Sequence, residues 1–96
     1  MANDRNHFEF TGLVFRDHSF YVSLCLEVEV ASQGRNVREA KKLLAEAVTL
    51  YLETCFENGI PQLRPVPSED DPRVSQPESV VEHFPLKVDF KVHAFA

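Results

Sequence analysis

The chain has 96 residues, a formal charge of −5 and a hydrophobic share of 44%, enough for one thin-cored domain and little else. An acidic balance argues against a nucleic-acid binder, whose phosphate contacts need clustered Lys and Arg, and suits a basic partner. The two cysteines, Cys25 and Cys55, are too few for a disulfide scaffold or a zinc knuckle; no signal-like opening or membrane-length apolar run is present, so a cytoplasmic chain is expected.

Residues 7–16 form the first element. Phe8, Phe10 and Val14 fall on one phase of a period-2 pattern, and Gly12 interrupts that phase as a bulge or a close-packed strand would. Arg16-Asp17-His18-Ser19 supplies turn chemistry, so a hairpin follows. Over residues 20–32, Phe20, Val22, Leu24, Leu26, Val28 and Val30 are all apolar, whereas the odd positions are mixed. That pattern predicts a second strand, or two with a bend, whose even face looks into the core.

The period then changes to that of a helix over residues 37–58. Asn36 is a good N-cap and Glu39 occupies the capping-box position. Val37, Ala40, Leu44, Ala47, Val48, Tyr51 and Cys55 make one apolar stripe, and Gly59 and Pro61 end the helix. Residues 61–83 are Pro-rich and include the acidic run Glu69-Asp70-Asp71, which reads as an extended, partly disordered arm. In residues 85–95, Leu86, Val88, Phe90, Val92 and Ala94 alternate with polar residues as a final strand. The expected fold is one α+β domain: a small antiparallel sheet of three to four strands with one long helix on one face. So thin a sheet, with a long tether to its last strand, also suggests a homodimer or larger homo-oligomer.

Few residues suggest chemistry. Gly34 stands between strand and helix without the second glycine and lysine of a phosphate loop, so it reads as a hinge. His7, His18, His83 and His93 show no ligand spacing. Cys25, assigned to the solvent side of its strand and the opposite side of the sheet from Cys55, has Glu27 as a phase neighbour, which disfavours a thiolate. Glu27 and Glu29, with Asp17 at the preceding turn, could hold metal ions for nuclease chemistry only if they converged within about 4–5 Å of a common cation. No enzyme activity, metal or cofactor is expected.

The segment YVSLCLEVEVASQGRNVREAKKLLAEAVTLYLE, residues 21–53, resembles the HicB antitoxin family. The features that carry the resemblance are a strand with Cys25 and Glu27, then Ser32-Gln33-Gly34, Glu39-Ala40, and Glu46-Ala47-Val48 leading into Leu50-Tyr51-Leu52-Glu53. The resemblance implies a partial ribonuclease-H-like fold without a working active site. It also implies a partner, a small basic RNA-cleaving toxin of the HicA type, whose surface and catalytic histidine the antitoxin masks.

Two features depart from the family pattern. Leu26-Glu27-Val28-Glu29 replaces the usual Pro and Gly after the strand cysteine, and residues 61–96 read as neither of the family's usual DNA-binding segments. Direct DNA binding by this chain is therefore not expected. By charge, the toxin-facing residues would be Glu27, Glu29, Glu69, Asp70 and Asp71. An orphan homo-oligomeric interaction protein and a metal-dependent nuclease are the alternatives.

Overall fold

A close approach of two backbones sets the architecture. In the computed structural model, which describes residues 5–91 and within them the side chains of residues 8–89, a Cβ built on Gly34 would lie 2.5 Å from the Ala40 backbone nitrogen. Only glycine lets the chain leave a strand there and fold straight back as a helix. The elements in order are β1 (Arg5–Asp17), β2 (Phe20–Cys25), β3 (Val30–Gly34), α1 (Val37–Asn58), α2 (Pro72–Ser75) and β4 (Val80–Lys91). The strands form one antiparallel sheet in the order β3-β2-β1-β4 with α1 across one face.

The ends of α1 follow from local chemistry. The Asn36 side chain accepts a bond from the Glu39 amide at 2.8 Å, while the Glu39 carboxylate accepts from the Arg35 amide, one residue ahead of the cap, at 2.8 Å. At the other end Gly59 takes the left-handed conformation (φ 63°), and the Ile60 amide returns to the Cys55 carbonyl at 2.9 Å. The buried stripe is Ala40, Leu44, Val48, Leu52 and Cys55, with Val37 and Tyr51 half-buried beside it. Leu52 is thus a core residue, whereas Ala47 sits at the margin.

The sheet face under α1 carries Phe8, Phe10 and Val14 from β1, and Phe84, Leu86 and Val88 from β4. Gly12 belongs to this face as well. A Cβ on it would meet the Phe84 ring at 2.4 Å, so the ring lies across the bare backbone of the neighbouring strand. From β2, the residues on this side are Tyr21, Ser23 and Cys25, and Ser23 and Cys25 are fully buried. This inverts the phase expected for residues 20–32. The even residues Phe20, Val22 and Leu24 occupy the opposite face, where Phe20 is 46% exposed. The physical reason is volume: α1 lies closest to β3 and β2, and its Leu and Val side chains need small residues beneath them. Cys25 and Cys55 are therefore buried on the same side of the sheet, both as free thiols.

The run over residues 20–32 is also not one strand. Residues 26–29 form a turn in which Glu29 adopts a left-handed conformation (φ 50°), and Leu26 and Val28 are buried within it. Residues 61–79 are not a loose arm. The Tyr51 hydroxyl donates to the Gln62 carbonyl, and the Arg64 and Val66 amides bond the Glu27 and Leu26 carbonyls at 3.0 and 2.8 Å. Two single-turn 3-10 segments, Ser68–Asp70 and Pro77–Ser79, flank α2.

On the sheet face away from α1, Leu13, paired with Leu24 and His83, is completely buried. Pro72 of the arm is completely buried as well. β4 begins at Val80 and accommodates Pro85 within the strand; the expected extension to residue 95 lies outside the described residues. Among those described, no helix is long and apolar enough to cross a membrane.

The strand-to-helix junction is open to test. Gly34→Ala forces backbone apart from backbone and lowers the unfolding free energy by about 2 kcal/mol. Gly59→Ala, with open space around it, costs only about 1 kcal/mol through its positive φ. Urea denaturation of the two variants measures the difference.

Candidate interaction site

The five acidic residues singled out by charge do not form one exposed cluster. Glu27 turns back from the 26–29 turn onto β1: its two carboxylate oxygens accept the Thr11 amide and the Thr11 hydroxyl, each at 2.8 Å. It is an internal latch between the turn and the central strand. Glu29 pairs with Arg64 (Nε to Oε1, 3.6 Å), and the Arg64 guanidinium lies over the Tyr51 ring, 5.5 Å from its centroid. Arg64 thereby ties the arm to both the turn and the helix.

Asp71 caps α2 by accepting the Arg73 amide at 2.9 Å, and it grips the Arg73 guanidinium through both oxygens. Hydrogen bonds from Arg73 hold the Asp71 carboxyl below the ordinary carboxylate range, and the charge of His83 adds to this. The same hydrogen bonds to Asp71 favour the charged form of Arg73. Glu69 and Asp70 stand exposed on the preceding 3-10 turn. Sequence reasoning missed Thr11, Arg64 and Arg73, the residues that satisfy these acids. The one signal available was two lone arginines set into a Pro-rich acidic segment.

The outer face of α1 adds a second acidic surface. Glu46, Glu53 and Glu57 follow one line along the helix on either side of Leu50, which is 65% exposed. The last turn of α1 holds no basic residue to offset them, so the acids near this end oppose the helix dipole.

Asp17 does not join Glu27 and Glu29. Asp17 pairs with Phe20 at one end of β2, while Glu27 follows Cys25 at the other, a separation of roughly 16 Å at the rise of an extended strand. Among the described residues no three His, Cys, Asp or Glu side chains gather as a metal-holding group. His18 is exposed near Asp17, and His83 is exposed on β4.

Burial, with a smaller push from Glu27, raises the Cys25 thiol from its ordinary value of 9.0 to about 11. Its Sγ lies 4.0 Å from Glu27 Oε1. A thiol so placed remains protonated near neutrality and acts as a packing group, not a nucleophile.

Compared with protein families, with characterised proteins and with solved structures, the chain gives no match.

Two predictions follow from these environments. Glu27→Ala leaves the Thr11 groups without their acceptor and costs about 1–3 kcal/mol in denaturant titrations, while Glu69→Ala and Asp70→Ala stay within about 0.5 kcal/mol of the parent. For Cys25 the folded pKa is raised, so its contribution to stability is complete below pH 9 and is lost as pH climbs toward 11. Thermal midpoints measured across that window fall, and Cys25→Ala makes the fall shallower.

Proposed function

We propose that the chain is a non-catalytic, antitoxin-like binding module that neutralises a small, basic RNA-cleaving toxin of the HicA type by covering its surface. The observation that carries this reading is the joint role of the residues behind the HicB resemblance. Cys25 packs under the helix, Glu27 latches the turn, Gly34 seats on the Ala40 backbone and Glu39 closes the cap. These scattered residues thus form one continuous strand-to-helix unit, as a shared family core would require. The partial ribonuclease-H-like fold and a cytoplasmic location belong to the same proposal.

Charge is the second support. With Glu27, Glu29 and Asp71 engaged internally, the acids offered to a basic partner are Glu69 and Asp70 on the arm and Glu46, Glu53 and Glu57 on the outer helix. Long-range attraction to such a surface accelerates encounter and weakens as salt rises. A second reading, an orphan homo-oligomeric interaction protein, is favoured by the outer edge of β4, which no strand meets among the described residues.

Co-expression with a small basic ribonuclease encoded beside this chain tests the proposal. The expected results are relief of growth arrest and a complex that survives purification. Glu69→Lys with Asp70→Lys slows association several-fold at low salt and much less at high salt. Continued arrest together with no complex in a pull-down would sink the toxin reading.

A further inference from the structure

The flank of α1 turned away from β4 carries a period of its own. On the side facing β4, Lys41 bonds Glu82 and lies over the Phe84 ring, 4.7 Å from its centroid. Leu50 stands nine positions further on, two and a half turns at about 3.6 residues each, and so projects to the opposite side, exposed. Leu43, Ala47 and Thr54 share its flank at steps of four, three and four, and none belongs to the buried stripe that holds α1 to the sheet. Seven positions separate Leu43 from Leu50, Ala47 from Thr54, and Glu46 from Glu53. Such a repeat, with leucine and small residues on the seam and charge at its border, is the spacing by which two helices pack side by side.

The border charge selects the occupant. We infer that this flank receives a basic amphipathic helix of the partner, laid along residues 43–54. Apolar residues of that helix pack against Leu43 and Leu50, and Ala47 and Thr54 are small enough to let it approach closely. Its Lys or Arg residues, seven apart, answer Glu46 and Glu53. Those two acids and Glu57, seven beyond Leu50, meet no Lys or Arg at ion-pair distance among the described residues. The last turn of α1 adds no basic residue to compete. The identity of the partner rests on the toxin reading; the surface is a property of α1.

A second copy of α1 is a poor occupant. Packed antiparallel, it brings the border of Glu46 and Glu53 against the same border of its mate. Packed parallel, it sets Glu46 against Tyr51, whose hydroxyl is held by the Gln62 carbonyl. Neither arrangement supplies the positive charge that answers these acids. Leu50, central in the stripe and bordered by polar residues, is placed as an anchor that the incoming helix shields from water.

NMR titration of the full chain with a synthetic peptide of three heptads, Leu at its seam positions and Lys on both borders, is the test. Backbone shifts are expected over residues 43–54. Leu50→Ala weakens binding about tenfold, and a scrambled peptide of the same composition binds at least about tenfold more weakly. Glu46→Lys with Glu53→Lys turns the preference over to a peptide carrying Glu in place of Lys. These positions lie outside the buried stripe, so the variants keep the fold. Shifts centred on Glu69 and Asp70, equal binding of the scrambled peptide, or a charge reversal that switches nothing would overturn the assignment. In co-expression, Leu50→Arg is expected to lose the relief of growth arrest that the parent gives. Full relief by Leu50→Arg removes the surface and leaves the toxin reading standing. No relief by the parent removes the toxin reading, and the titration still upholds or overturns the surface.

Discussion

The contact between Gly34 and the backbone of Ala40 is the constraint on which the rest of the molecule depends. It brings the first turn of α1 down onto the end of β3. From there the helix must run over β3 and β2, and small side chains have to lie beneath it. Ser23 and Cys25 meet that demand, leaving room for Leu44, Val48 and Leu52 to reach the sheet. A larger residue at Gly34 would lift the helix and open voids under every one of these positions, each of which costs stability.

The same economy governs the polar groups. A four-residue turn after β2 leaves the amide and hydroxyl of Thr11 in need of an acceptor, and Glu27 provides it. The turn's own carbonyls are taken by Arg64 and Val66 of the arm. Because Arg64 also answers Glu29 and stacks on Tyr51, one side chain fastens turn, arm and helix together. The acidity of the chain is thus divided between acids spent on internal bonds, as at Glu27 and Asp71, and acids displayed to solvent, as at Glu69 and Asp70.

What was legible in the sequence is what depends on near neighbours. Asn36, Glu39 and Gly59 announce the ends of α1 because capping is decided within a few residues. The α+β class, with one long helix on an antiparallel sheet, follows from the change of period at residue 34. The inward face of β2 was not legible. Its even residues are the greasier set, but burial depends on which element covers which face, and the helix that covers Ser23 and Cys25 starts only at Val37. The arm itself read as disordered because its anchors are carbonyls at Leu26 and Glu27, more than thirty positions away. The acidic site suffered from the same blindness where the partner is distant: Arg64, which answers Glu29, stands 35 positions away, whereas Asp71 finds Arg73 two residues on.

The ladder between β1 and β4 joins the two ends of the described chain, with Arg5 opposite Lys91 and Phe10 opposite Leu86. The β1–β2–β3–α1 unit is built from contacts close in sequence, whereas closing this ladder means paying the entropy of a loop that spans almost everything between. Formation of the sheet is therefore expected to be ordered in time. The local unit assembles first, and the central strand waits with one side bare until the last strand arrives. During synthesis on a ribosome that interval lasts at least as long as the arm and β4 take to be made. The step at which this protein is most open to mispairing is thus fixed by its topology.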